Sequence, residues 1–520
     1  MAVAIRGPLA MSVIPIAAAS AGAGLPSPED AARLDNTRPA RWHSPRPLAR
    51  YHLLVIGAGP AGLAAARAAA ALGAHVALVE RHELGGNSLS DGCIPSKSLI
   101  RTARLLADMR NAINFGATPP NEPTFDFAAA MQRVRRVMAR ISLRDSAMDL
   151  ARAGIHLFFG TARFTGPDAI DVNGVTLCFK KAMIATGSVS RLPDIPGLTE
   201  AGFLTNETVF DLQVLPKSLL VIGGGPLGCE LAQVFARFGS RTLISHSEPL
   251  FLPKEERDAA QMVSDALARD GVEIHLNSEV TQVRIENGRK VIELVNDGNT
   301  ATTRVDTILT GIGRVPAVLG LGLEAAEVAY DAESGIHVDD FLRTSNRRIY
   351  AAGDVCLEHK FTNTAEASAR IVVRNALLLG HERMSALIIP WCTYTDPEVA
   401  HVGLYVKQAR GQRIPVKTFT IPMHDVDRAI ADGEEEGFVK IHVREGTDTI
   451  LGATIVARHA GEMINSISLA MVTGVGLQTL AKVVHAYPTQ GAAIRQAAEA
   501  YARTRFSPLR FGRAQRWWSR

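Results

Sequence analysis

One pattern, met twice, limits what this chain can fold into. An apolar strand, His52–Ile56, runs into Gly57-Ala58-Gly59-Pro60-Ala61-Gly62; an Ala-rich helix follows, and a second strand, Val76–Val79, ends at Glu80. The same parts return as strand Leu219–Ile222, Gly223-Gly224-Gly225-Pro226-Leu227-Gly228, a helix to about Phe238, and strand Thr242–Ile244. A glycine turn alone is weak, but strand, turn, helix and strand in this order describe a unit that binds a dinucleotide. Gly57 permits the tight turn, Gly59 lets the backbone approach a pyrophosphate, and Gly62 lets helix and strand pack closely. The helix N-terminus favours the negative phosphates. Gly223, Gly225 and Gly228 repeat those roles, so two dinucleotides are implied. Glu80, 23 residues after Gly57, is placed to accept hydrogen bonds from a ribose. The residue 23 after Gly223 is His246, flanked by Ser245 and Ser247. A carboxylate there repels a ribose 2′-phosphate, whereas an imidazole and hydroxyls can donate to it, with Arg241 close in sequence. NADPH is therefore favoured over NADH at the second unit; the alternative is that His246 is an exposed loop residue.

The rest of the composition fits a large α/β protein. At 520 residues the chain has room for about three domains. Hydrophobic residues make up 47 % and charged residues 21 %, which excludes wholesale disorder. The net charge of +4 is too balanced for nucleic-acid binding. Six arginines lie between Arg503 and Arg520 without an acid, so +4 less these six leaves −2 on the remainder. This basic tail, with Trp517 and Trp518, reads as a solvated or dimer-packing helix, with weak contact to an anionic membrane surface as the alternative. Five scattered cysteines, an odd count without a C-x-x-C, argue against a disulfide framework and a zinc site and for a reducing, cytoplasmic setting. No stretch is long and apolar enough for a transmembrane helix. Residues 1–25 read as an unstructured N-terminus, with a targeting peptide as the alternative. Residues 26–50, with five prolines, read as a linker or arm.

Further motifs are Leu84-Gly85-Gly86, Gly92-Cys93-Ile94-Pro95-Ser96-Lys97, Ala185-Thr186-Gly187, Gly313-Arg314-Val315-Pro316 and Ile349-Tyr350-Ala351-Ala352-Gly353-Asp354. Through these the chain resembles the flavoprotein disulfide reductases over roughly residues 50–505. A mercuric-reductase-like or dihydrolipoamide-dehydrogenase-like branch is most similar, through Pro390–Glu398, Asp427-Arg428-Ala429 and Tyr487-Pro488-Thr489-Gln490. The resemblance implies an α/β architecture of two nested Rossmann-like dinucleotide-binding domains plus an α+β dimerisation domain. Residues 51–187 and 311–384 would form the FAD domain, 188–310 the NAD(P)H domain and 385–505 the homodimer interface, between an extension at 1–50 and the tail at 506–520. It also implies that Thr186, Gly187 and Asp354 serve the flavin, Asp354 at the ribityl chain, and that Gly313 lines the exit of the nicotinamide domain.

The same resemblance exposes a damaged redox centre. Such reductases carry two cysteines five positions apart, and here the first is Ser88 while Cys93 remains, in the flavin-proximal place. A helix start at Cys93 and the nearby Lys97 would favour its thiolate; an inert buried cysteine is the alternative. Lys97 and Glu230 match the pair that the family sets beside the flavin, an electrostatic task suited to a partly dry site and compatible with a plain salt bridge. The family's His-x4-Glu acid–base pair, donated across the dimer, is replaced by Tyr487 and Ala492, and tyrosine near neutrality is a poor base. His485 is no ready substitute, because Pro488 interrupts the extended segment. Asn363 stands where the resemblance leads one to expect histidine, and the terminal cysteine pair of mercuric reductases is absent.

These features imply an FAD-dependent NAD(P)H oxidoreductase that passes electrons from NADPH through FAD to a small-molecule acceptor, with Cys93, Lys97, Glu230 and Tyr487 in the catalytic set. Hg(II) reduction and a flavin- and nucleotide-binding protein without turnover are the alternatives.

Overall fold

Each glycine-rich unit folds because an apolar strand, buried along its length, feeds a helix whose small residues let it lie flat on the sheet. The computed structural model describes residues 27–118 and 125–505. In the first unit, β1 (Tyr51–Ile56), α2 (Pro60–Ala71) and β2 (Val76–Glu80) follow in order, with Pro60 at the helix start. They are preceded by a helix α1 (Pro28–Thr37). The parallel sheet runs Ile155–Phe159, β2, β1, Val175–Ile184 and Ile349–Ala351, so a late segment of the chain completes the first sheet. In the second unit the parallel strands run Val272–His275, Arg241–Ser245, Ser218–Ile222 and Thr307–Thr310. A five-stranded antiparallel sheet follows, in the order Pro390–Thr393, Glu398–Gly403, Ile450–Ala457, Phe438–Arg444 and Val416–Pro422. Helices Ala460–Val472 and Ala492–Thr504 pack against this last sheet.

After β2, α3 (Gly86–Ser90) and α4 (Cys93–Arg110) carry Ser88 and Cys93, and α5 (Phe127–Ser142) packs beside them. The expected linker at 26–50 differs from the fold, because α1 is an ordered helix. Ser27 caps it by accepting from the Asp30 amide at 3.1 Å, Pro28 occupies the first turn, and Glu29 and Asp30 complement the helix dipole. The signal Ser-Pro-Glu-Asp was in the sequence, but the surrounding prolines masked it. No helix among the described residues is long and apolar enough to cross a membrane. The basic tail and residues 1–25 lie outside the described residues.

Two glycines show why the first unit tolerates so little. Gly57 has φ +100°, and a Cβ on Gly62 would lie 1.8 Å from the Gly57 carbonyl oxygen. Gly62→Ala must therefore open the turn. We expect flavin retained through gel filtration to fall at least about tenfold, a loss of about 1.4 kcal/mol in binding. Gly411→Ala, which meets nothing within 4 Å, keeps its flavin.

Candidate active site

The two glycine loops present matching cradles. Gly223 has φ +110°, and a Cβ on Gly228 would lie 2.3 Å from the Gly223 carbonyl oxygen, as in the first unit. Gly59 and Gly225 face open space: a Cβ would meet nothing nearer than 4.0 Å at either. The free amides of each helix's first turn lie beside that space. Both cradles fit the pyrophosphate of a dinucleotide.

Glu80 is buried, and its two oxygens accept from the Ala58 amide at 2.6 Å and the His82 amide at 2.8 Å. In the second unit, His246 Nδ1 takes the equivalent amide, Gly224 N–H, at 3.3 Å, while Nε2 lies 3.2 Å from the Leu250 carbonyl. An imidazole thus replaces a carboxylate as the acceptor that steadies the loop. Arg241 is directed elsewhere: it forms a two-armed pair with Glu273 on the neighbouring strand at 3.0 and 3.3 Å. Ser245 is buried and bonded to Ser278 at 2.9 Å, which leaves Ser247 and His246 at the loop.

The redox segment enters between the units. Cys93 is the first residue of α4 and is exposed. Its sulfur lies 3.5 Å from Thr362 Oγ1, and that hydroxyl donates to Ser88 Oγ at 3.3 Å. The five cysteines are all free. Burial raises the thiols of Cys229, Cys356 and Cys392, consistent with packing roles.

One turn along α4, Lys97 Nζ donates to Glu230 Oε2 at 2.8 Å. Glu230 is 3 % exposed, and its other oxygen accepts the Tyr394 amide at 2.8 Å. The Tyr394 ring lies 4.5 Å beneath the ammonium, a cation–π contact. Burial works against the Lys97 charge, but Glu230 and Cys93 outweigh it and hold its pKa above the ordinary lysine value. Tyr394 escapes sequence inspection because half of its role is a backbone N–H.

The residues expected at the flavin come from three segments. Asp354 Oδ2 accepts from Ser188 Oγ at 2.7 Å, and Arg314 donates to Ser188 Oγ at 2.8 Å and to Asn206 Oδ1 at 3.1 Å. Thr186 donates to the Ala317 carbonyl at 2.8 Å, Gly187 has φ +72°, and Gly313, at φ +111°, accepts from Arg191 N–H. Asp91, two residues before Cys93, is pushed up to about 7, first by burial and then by Glu207, Glu83 and Asp211, with Arg314 opposing. Tyr487 stands apart on the last unit. It is 76 % exposed and donates to Asp427 at 2.9 Å, its one hydrogen-bond partner among the described residues. Asn363 donates to the Pro390 carbonyl at 2.9 Å.

A family model described as pyridine nucleotide-disulphide oxidoreductase matches residues 51–370, and that family's dimerisation domain matches 389–498. The chain belongs to the pyridine nucleotide-disulphide oxidoreductase family. It is 32 % identical over 456 residues to a mercuric reductase of Streptomyces lividans, covering 87 % of this chain and 96 % of that one. It is 34 % identical over 463 residues to a dihydrolipoyl dehydrogenase of Thermus scotoductus, covering 86 % and 97 %. Among solved structures, the HOCl-induced flavoprotein disulfide reductase RclA from Escherichia coli superposes with a TM-score of 0.78 at 29 % identity, covering 86 % of this chain and 99 % of that one. Members of this family use FAD and NAD(P)H, and the chain is an FAD-dependent NAD(P)H oxidoreductase.

A cleft of about 300 Å³ opens beside the redox segment, with Leu63, Ser88, Leu89, Ile94, Ile141 and Thr362 among its walls. Arg67 at its edge is neutralised by Asp145 at 2.8 Å and Asp149 at 2.7 Å.

Two outcomes follow from this chemistry. Lys97→Met strands a buried carboxylate and costs about 3–5 kcal/mol in a urea titration. Glu230→Gln keeps an acceptor for the Tyr394 amide and costs less. For Asp91, the folded chain holds the proton from 3.8 up to about 7 while the unfolded chain has released it. Stability from this group therefore falls as pH rises through that window. The thermal midpoint of Asp91→Asn should exceed that of the parent by a margin that grows from pH 5 to pH 8.

Proposed function

We propose that the chain oxidises NADPH and delivers the electrons to a small, uncharged, apolar acceptor of the quinone class that enters the cleft at Ser88. The observation that carries this reading is the trio Cys93, Thr362 and Ser88. Hydroxyls stand where dithiol exchange needs a second sulfur, and a hydroxyl cannot close an internal disulfide. The cleft adds the acceptor's character. Leu63, Leu89, Ile94 and Ile141 give it an apolar part against which a quinone ring can lie, and Arg67 is already paired with two aspartates, while Arg144 and Glu366 also line it.

Bound FAD supplies the two-electron relay between nicotinamide and acceptor. The chain's own part is to orient and to hold charge. The first glycine loop and Glu80 seat the cofactor's pyrophosphate and adenosine, and Asp354 with Ser188 and Arg314 serves its ribityl end. Lys97, fixed by Glu230, keeps a positive charge where negative charge develops. His246 stands where the first unit has Glu80, which supports NADPH over NADH. Cys93 contributes a single thiol beside the flavin, and Ser88, whose oxygen accepts from Thr362, is the hydroxyl donor toward the acceptor. Tyr487 is a proton donor only from a second copy of the chain. The apolar, exposed Leu469, Val472 and Val484 and the dimerisation-domain match support a homodimer, and five free cysteines support a reducing, cytoplasmic compartment.

Hg(II) reduction is a second reading, favoured by the mercuric reductases among the relatives. A lone thiol opposes it, since handing on a two-coordinate soft ion is easier with a second sulfur. Loss of turnover is opposed by the intact Lys97–Glu230 pair.

Anaerobic titration tests the proposal. NADPH should bleach the flavin band faster than NADH, and quinones should restore it faster than disulfides or Hg(II). Failure of NADPH to reduce the flavin would leave only the binding-protein reading. Restoration by Hg(II) alone would establish mercury reduction instead.

A further inference from the structure

Adjacent residues of α1 hold two separate elements that line the cleft. Asn36 Nδ2 donates to Ser142 Oγ at 2.9 Å, on the wall formed by the end of α5. The Thr37 carbonyl accepts the Leu84 amide at 3.1 Å, on the wall formed by the loop after β2. That loop is held at several further points. Arg33 pairs with Glu83, the Thr37 hydroxyl donates to the same carboxylate at 3.0 Å, and Arg38 donates to the carbonyls of Arg81 and His82, the latter at 2.6 Å. The helix is also anchored along α5, where Asp30 pairs with Arg135 at 3.4 Å and Glu29 accepts from Gln132 at 3.1 Å. Thr37 and Ser142 are each 1 % exposed, so this junction is interior packing. The loop in turn abuts the cofactor cradle, because Gly85 N–H donates to the Ala58 carbonyl at 2.9 Å. All of these α1 contacts come from residues before 51, where the family match begins.

We propose that α1 and Arg38 are a specificity element of the acceptor site, fixing the separation of the two walls and so limiting the size of molecule that reaches Ser88. Asn36 and Arg33 are positioning residues: they touch no acceptor but hold the parts that do. A strap tied to both walls resists widening, because opening the cleft breaks hydrogen bonds on one side or the other. The inference rests on the cleft being the acceptor's entrance, and its test is independent of turnover.

In a Ser88→Cys, Cys93→Ser background the thiol at position 88 reports on the cleft. Its labelling by iodoacetamide and by the much larger fluorescein-5-maleimide is followed by peptide mass spectrometry, in the full chain with and without Arg33→Ala plus Asn36→Ala. The maleimide rate should rise about fivefold, the scale of one lost hydrogen bond, with the iodoacetamide rate little changed. Arg33→Lys, which keeps the ion pair, should restore most of the size discrimination. An equal rise for both reagents means general loosening and overturns the proposal, as does no change for either. If the double variant fails to fold, Asn36→Ala alone is read in the same way. With Ser88 and Cys93 intact, the KM for a bulky quinone should fall while kcat for a small one holds. If no quinone reoxidises the parent protein, the acceptor assignment falls, and the labelling ratio still judges the strap.

Discussion

The site depends on one carboxylate. Glu230 belongs to the helix of the second glycine unit, takes its counter-ion Lys97 from the first, and accepts an amide from Tyr394 in the last. A charge that is 3 % exposed is tolerable only with such partners, so the three units cannot shift independently without stranding it. The cost of burial is what makes the junction exacting.

A second charged junction shares the load. Asp396, from the last unit, pairs with Arg237 of the second unit at 2.8 Å and lies 3.7 Å from Arg104 of the first. Those cations overcome burial and keep its carboxyl below the usual aspartate range. Nearby, Glu255 of the second unit accepts from Tyr405 at 2.7 Å and Trp391 at 3.2 Å of the last. Polar partners chosen at three points, rather than broad apolar contact alone, specify how the units meet. Inside that frame the two dinucleotide loops differ in the side chain that steadies them. Glu80 and His246 both accept the amide of the second loop residue, but one does so with a carboxylate and the other with an imidazole.

Much of this was legible in the sequence because it is written in residue types with few substitutes. Glycines at fixed spacing, a carboxylate at a strand end, and the Cys93–Lys97 segment each demand a particular side chain. Family membership, cofactors and reaction class followed from them. The rest depended on tertiary neighbours. Arg241 is close in sequence to the second loop, but the adjacent parallel strand offers it Glu273. Tyr394 acts through its backbone and the face of its ring, neither of which has a sequence signature. The shift at Asp91 arises from burial and from carboxylates distant in the chain. Helix α1 was hidden by its proline-rich surroundings, although its cap was readable.

The span of the Glu230 contacts also bears on how the protein is made. Lys97 and Glu230 are separated by 133 positions, and Glu230 and Tyr394 by a further 164. Such distant pairings form late, after loop closure has been paid for by local structure. As the chain leaves the ribosome, the first two units can fold while Glu230 still lacks the amide that completes its coordination. The Lys97–Glu230–Tyr394 junction therefore matures after both glycine units, and a chain truncated before Tyr394 would carry both glycine cradles with Glu230 still lacking one partner.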